Sequence, residues 1–282
     1  MSTRSRVDET ARPSESSGPA PDDLSALAML SGELINAIER DDQFLSLRQV
    51  LGRFCPFENF LVYMFDETKP PVLLGTSVPE ARLKEQMADF VAGLFLLDPF
   101  ILAVQRDSIG PVRLRDIIPE GFFESEYYNH HYRYTNVRDE VRYVVSIDHQ
   151  RWVHIFVERE APSLPFSDKD VARLAALAPI VNSFISARCR WLDRLRTPEG
   201  DRMVAAIDLQ ARIRMMSNGA LTSRECEVVE WMLKGHSARS IGQRLRIEKG
   251  TVTNHKRSIY AKLDIHSMAQ LFSLFLRSLT SI

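Results

Sequence analysis

From Asp23 onward the apolar residues Leu24, Leu27, Leu30, Leu34 and Ile35 recur at three- and four-residue steps, the period of a helix with one buried face. A second short helix is expected over about 42–52, and Cys55-Pro56 breaks it. Phe60–Phe65 and Val72–Gly75 read as short strands around a Lys69-Pro70-Pro71 turn. Pro79–Phe95 predicts a helix whose apolar end is interrupted by Asp98-Pro99, and Phe122–Tyr132 is a third, aromatic-rich helical candidate.

The clearest sheet signal lies between 140 and 158. Val141, Tyr143, Val145 and Ile147 alternate along one strand; Asp148-His149-Gln150-Arg151 is turn-like; Val153, Ile155 and Val157 alternate along the return. Trp152, His154 and Phe156 fall on the return strand's other face, so the hairpin is expected to be packed on both sides. A single helix of about 28 residues should follow, capped by Ser167 with Asp170 three residues on. Its near-heptad stripe, Leu174, Leu177, Val181, Phe184, Ala187, Trp191 and Leu195, either covers the sheet or also pairs with a second subunit. Hairpin strands interleaved with helices give an α+β sandwich, an antiparallel sheet flanked by helices, over 23–195.

Composition refines this outline. Residues 1–22 contain no Phe, Trp, Tyr, Leu or Ile and are rich in Ser, Pro and charge, which predicts a disordered tail without a signal sequence. No apolar run reaches the length of a membrane span. Cys55, Cys189 and Cys226 are far apart and lack CxxC spacing, so they read as core packers in a reducing, cytoplasmic setting. The net charge of −1 hides an asymmetry: residues 219–282 carry ten Lys/Arg and five Asp/Glu, leaving the acidic excess in the remainder. A basic C-terminal module on an acidic body fits a phosphate-bearing partner.

That module has its own pattern. Residues 196–218 form a linker, broken by Pro198-Glu199-Gly200, with a short helix before Ser217-Asn218-Gly219. Thr222 and Glu225 then make a capping box for a helix with Val228, Val229, Met232 and Leu233 on its apolar face, stopped at Gly235. Ser237 caps a second helix buried through Ile241 and Leu245. A third runs from about Thr251 to Leu263 with Val252, Ile259 and Leu263 inward. This is an all-α helix-turn-helix. Subtraction leaves Thr253, Asn254, Lys256, Arg257 and Tyr260 outside, with Tyr260 half-buried and His255 close to the packed face. A rod about 20 Å long fits a major groove, where Asn254 can pair with adenine, Arg257 with guanine and Thr253 with a thymine methyl. Arg239, Arg244, Arg246, Lys249, Lys256 and Lys262 suit phosphates.

In order and spacing, Leu221-Thr222-Ser223-Arg224-Glu225, Gly235-His236-Ser237, Ile241, Leu245, Ile247, Thr251-Val252, His255, Ile259 and Lys262-Leu263 resemble the LuxR-type DNA-binding domain over about 65 residues. The resemblance implies that Thr253, Asn254 and Arg257 sit where the family reads bases. It puts Thr251, His255 and Lys262 at backbone-contact or packing positions. Glu248 departs from the small capping residue usual there, and Gly250 weakens the first turn of the helix by up to ~1 kcal/mol.

The family divides by the domain that precedes its DNA reader. The hairpins argue against a phosphoacceptor receiver. The α+β pattern resembles the GAF/PAS-like sandwich of the acyl-homoserine-lactone branch, and Asp98-Pro99 matches its Asp-Pro element. That branch's Tyr and Trp, nine and thirteen residues earlier, are replaced here by Asp89 and Glu85. Phe95, Phe100, Phe122, Phe123, Tyr127, Tyr128 and Tyr132 supply aromatic walls for a small-molecule pocket, with Asp98, Glu124 and Ser146 as polar groups. The alternative is a tightly packed, ligandless domain that only dimerises or binds a protein.

His130, His131, His149 and His154 lack metal-binding spacing, and no nucleophile elbow or phosphate loop is present, so no metal, cofactor or catalytic residue is expected. The expectation is a dimeric regulator. Its partners are double-stranded DNA, a second copy, a small molecule of unknown class and, for an activator, RNA polymerase.

Overall fold

The computed structural model describes residues 21–40, 42–67, 69–103, 110–195 and 208–280. The expected tail (1–22) lies almost wholly outside these residues, as does the first half of the expected linker.

Two helices, α1 (Pro21–Ala37) and α2 (Gln43–Phe54), precede the hairpin β1 (Asn59–Asp66) and β2 (Lys69–Thr76). After α3 (Glu80–Ala92), a 3-10 turn at Leu94–Leu97 leads into α4 (Pro99–Ala103). The short β3 (Val112–Arg113) and α5 (Leu114–Ile117) follow, then a π-turn at Tyr128–Tyr132 and α6 (Arg133–Thr135). The second hairpin is β4 (Val137–Ser146) with β5 (Arg151–Glu160), and α7 (Asp168–Ala176) and α8 (Ala178–Leu195) complete the unit. The five strands form one antiparallel sheet in the order β2-β1-β5-β4-β3. The N-terminal unit is therefore an α+β sandwich.

The alternation expected of the central hairpin is realised in its register, which pairs Val141 with Val157, Tyr143 with Ile155 and Val145 with Val153. These side chains form the core beneath α1, α2, α7 and α8. Tyr143 is fixed there by donating its hydroxyl to the Leu174 carbonyl at 2.7 Å. On the opposite face Phe156 joins Tyr63, Phe65, Phe90 and Phe95 under α3. The turn closes because Asp148 Oδ1 accepts from the Gln150 and Arg151 amides.

Four expectations change. Ile35 is 66% exposed although Leu30 and Leu34 are buried, so α1 has a narrower apolar face than its spacing implied. The single 28-residue helix is two helices meeting at 50°. Pro179, near the start of α8, lacks the N–H that would continue α7, and its ring crowds the preceding turn. Phe122–Tyr132 is helical only from Glu126 onward, and its turn is the wide π form. Ser146 lies exposed at the hairpin tip, bonded to the Asp148 carbonyl at 3.3 Å, away from any pocket.

The C-terminal unit is all helical: α9 (Leu209–Met216), α10 (Ser223–Leu233), α11 (Ala238–Leu245), α12 (Lys249–Leu263) and α13 (Met268–Thr280). Leu209 and Ile213 of α9 pack into its core, as do Leu271, Phe272, Phe275 and Leu279 of α13. The three-helix reading had not included α13. Cys55, Cys189 and Cys226 are free and buried. Among the described residues no single helix is long and apolar enough to cross a membrane.

Candidate nucleic-acid interface

Local rules build the helix-turn-helix. Thr222 caps α10 by accepting from the Glu225 amide, and the Glu225 carboxylate accepts the Thr222 N–H at 2.8 Å. Ser237 caps α11 through the Ser240 amide. The turn into α12 is tight: a Cβ on Gly242 would sit 2.7 Å from the Ile247 carbonyl oxygen, and Arg246 takes the left-handed conformation. Glu248 is the N-cap of α12 but makes no side-chain cap bond, as its side chain led one to expect. The helix starts two residues earlier than its apolar spacing indicated, taking Lys249 and Gly250 into its first turn.

Along α12, Val252 and Ile259 are buried while Thr251, Thr253, Asn254, Lys256 and Arg257 are exposed. His255 and Tyr260 are half-buried. Asn254 and Arg257 have no side-chain hydrogen bond or ion pair among the described residues, so both are free to meet base edges. Thr253 donates its hydroxyl to the Lys249 carbonyl at 3.0 Å, which leaves its methyl as the outward group. Arg239, Arg244, Arg246 and Lys249 are exposed at the edges of this surface. The Arg244 guanidinium also rests 4.6 Å from the Trp231 ring centroid.

Two basic residues have other neighbours. Lys262 places Nζ 2.7 Å from Glu225 Oε2, and Ser258 donates to Oε1 of the same carboxylate at 2.7 Å. Burial alone would raise the Glu225 carboxyl, but bonds from Lys262, Thr222 and Ser258 bring it down to about 2. Lys262 is therefore a brace between α12 and α10, its charge paired with Glu225 in the absence of DNA. Lys256 borders a cavity of about 210 Å³ that also includes Glu124 and Glu126 of the N-terminal unit.

The two units meet at this cavity. A Cβ on Gly121 would come within 2.8 Å of the Gly235 carbonyl oxygen, and one on Gly235 within 3.0 Å of Ser125. Arg212 of α9 donates to the Ala92 carbonyl at 3.5 Å and to the Ser278 carbonyl at 3.0 Å. Phe122, Tyr127 and Tyr132 share one apolar cluster with Val228, Ile241 and Ile259.

That packing revises the expected ligand pocket. Phe122 lies 5.6–6.1 Å from Tyr127, Tyr128 and Tyr132, ring to ring, so these aromatics fill space by contacting one another. Phe95 is packed on Phe65 and Phe90 in the sheet-side core. Asp98 is fully buried and committed: Oδ1 accepts the Phe100 amide at 2.8 Å and Oδ2 pairs with Arg142 at 3.0 Å. Arg142 in turn bonds Glu140 and stacks its guanidinium 4.0 Å over Phe100 and 3.7 Å over Phe156. Tyr132 donates to Glu140 at 2.8 Å, and burial pushes the Glu140 carboxyl up in spite of Arg142. Of the eight expected pocket residues, Glu124 lines the cavity beside Lys256, and the others named here are packing or ion-pair residues. Glu140 and Arg142 were missed by sequence reasoning, although two charges alternating within an apolar strand were a usable signal.

Residues 219–275 match the model of the bacterial regulatory proteins of the luxR family. This segment is a LuxR-type helix-turn-helix domain. A putative HTH-type transcriptional regulator in the exeN 3' region of Aeromonas salmonicida is 29% identical over 187 residues, covering 64% of this chain and 94% of that protein. The transcriptional regulatory protein DegU of Brevibacillus brevis is 44% identical over 50 residues, 18% of this chain and 21% of its own length. The crystal structure of the VqsR LBD domain from Pseudomonas aeruginosa is similar at a TM-score of 0.52 and 28% identity, covering 60% of this chain and 98% of that domain.

Proposed function

We propose that this chain is a homodimeric transcriptional regulator. Its C-terminal domain binds duplex DNA through α12, and its N-terminal unit, residues 23–195, responds to a small molecule and sets promoter binding. The observation that carries the reading is the row Thr253, Asn254 and Arg257, exposed on a helix whose opposite face is buried in a LuxR-type domain. Asn and Arg carry the bidentate donor and acceptor sets that read adenine and guanine in the major groove. Arg239, Arg246 and Lys249 flank the row for phosphate contact. One short helix reads few base pairs, and two half-sites bound by a dimer multiply that specificity. RNA polymerase becomes a partner where the bound site activates.

Control by the N-terminal unit is supported by where it touches the reader. Glu124 and Glu126 stand at the cavity bordered by Lys256, so a duplex approaching α12 would bring phosphates toward two carboxylates. Separation of the units would remove that repulsion, and any ligand that favours the separated state would promote binding.

A second reading is favoured by the mutual packing of Phe122, Tyr127 and Tyr132, which serves a ligandless clamp equally well.

The test is selection of duplexes from a random pool by the full-length chain, followed by titration of the winners across salt concentration. Sequence-selective binding that weakens with salt is expected. Absence of any sequence preference would remove the regulator reading. Sedimentation of the free and DNA-bound protein checks the dimer.

A further inference from the structure

A second cavity, about 320 Å³ in volume, opens between α3 and the π-turn. Its wall includes Glu85, Asp89, Leu94, His130, His131 and Tyr134, and no Lys or Arg lines it. Glu85 and Asp89 are one turn apart on α3, so both carboxylates face the same side. Each is held by one oxygen only: Tyr134 donates to Glu85 Oε1 at 2.7 Å, and His130 Nε2 meets Asp89 Oδ2 at 2.9 Å. The other oxygen of each carboxylate has no protein partner among the described residues.

His131 points to an occupant. The residue is 93% buried, counting from its 7% exposure, and its ring lines this cavity. Neither ring nitrogen has a hydrogen bond among the described residues. Burial, with the Arg142 charge behind it, brings its pKa down to about 3, so the imidazole is neutral and offers one donor and one acceptor. Its ring stacks on Phe90 at 5.2 Å, which fixes its orientation. Its ring nitrogens, unpartnered but not sealed from solvent, are open to an occupant of the cavity. His130 and His131 both lie on the π-turn and line this cavity, and such wide turns recur at functional sites.

We propose that this cavity binds a small primary ammonium compound with a short apolar or aromatic tail. The ammonium's three donors match the open oxygens of Glu85 and Asp89 and the acceptor nitrogen of His131, while Leu94 and Tyr134 receive the tail. A metal ion is a poorer fit, because no group of three His, Cys, Asp or Glu among the described residues is placed to hold one. The site deepens, and rests on, the reading of the N-terminal unit as a sensor. His130, which binds Asp89, also lies ring to ring with Phe272 of α13 at 5.6 Å, so an occupant that displaces it alters a contact with the DNA-binding domain.

The test uses the full-length chain with 2-phenylethylamine and its neutral isostere 2-phenylethanol, followed by calorimetric titration. The amine is expected to bind, with the alcohol at least about tenfold weaker. Glu85→Gln and Asp89→Asn lie at the protein surface and are each expected to weaken the amine by about tenfold while leaving the unliganded melting temperature unchanged. Equal binding of amine and alcohol, amine binding indifferent to both substitutions, or no binding of the amine would each overturn the site. Duplex binding is measured on the same preparation. Selective duplex binding without amine binding sinks this site alone, whereas loss of duplex selectivity sinks the proposed function. Amine binding that leaves duplex affinity unchanged overturns the link through His130.

Discussion

Lys262 Nζ lies 2.7 Å from Glu225 Oε2, so a lysine near the end of α12 is tied to the first turn of α10. The Glu225 carboxylate is 5% exposed and also holds Thr222 and Ser258. One buried acid thereby caps α10 and sets the angle at which α12 leaves the domain.

Lys262→Ala is accordingly expected to cost about 1–3 kcal/mol of stability, because it leaves a buried carboxylate short of its cation. The slope of DNA affinity against salt should change little. Urea denaturation and salt titration of the variant check the two halves. A flattened salt slope with unchanged stability would return Lys262 to the phosphate contacts.

His131 and Glu225 each withdraw stability in acid, over two overlapping windows. The His131 imidazole falls from 6.5 unfolded to about 3 folded, chiefly by burial. Between those values the unfolded chain binds a proton that the native chain refuses, so stability drops as pH falls through them. Glu225 acts in the same direction: its contribution is complete above 4.5 and is lost as pH falls toward about 2. His154, buried and pushed well down, adds to the first window. Glu140, held up to about 7 by burial, and Glu158, held up to about 8, act the other way, adding stability as pH falls through those values toward 4.5. Melting temperature measured from pH 7 to 4 should therefore hold up better in His131→Phe, which keeps an aromatic ring against Phe90, than in the parent protein, and an identical profile would remove His131 as a cause.

Asp98→Asn is expected to destabilise the N-terminal unit by about 3 kcal/mol. The neutral amide can still accept the Phe100 amide, but Arg142 loses one of its two carboxylates in a fully buried site. Denaturant midpoints of the two proteins measure this directly. A change below about 1 kcal/mol would mean that Glu140 alone satisfies Arg142.

Arg257→Ala should weaken binding to the selected duplex by about 1–3 kcal/mol and relax preference at one base position. Arg246→Ala, at the turn before α12, should weaken all duplexes alike and reduce the salt dependence. Competition titrations with single-base variants separate the two outcomes. Uniform weakening by Arg257→Ala would reassign that residue to the backbone.

Most of the DNA reader was legible in the order of residues, because its rules are local. The Thr222–Glu225 capping box, the Ser237 cap, the stop at Gly235 and the helical periodicity of Val252 and Ile259 act within a few residues of one another. The two-faced hairpin was legible for the same reason, since strand alternation fixes which side chains share a face. Other relationships depended on residues distant in the chain. Arg142 meets Asp98 across 44 positions, and this turns an expected ligand contact into a buried ion pair. Lys262 meets Glu225 across 37, which gives an expected phosphate contact a bracing partner inside the domain. Phe122, Tyr127 and Tyr132 read as pocket walls because composition cannot say whether aromatic rings surround a space or fill it. Sequence by itself determined the elements and their faces, through backbone geometry and short-range capping. Tertiary structure decided which charges found partners and where space remained, because ion pairing and cavity volume depend on which distant surfaces are brought together.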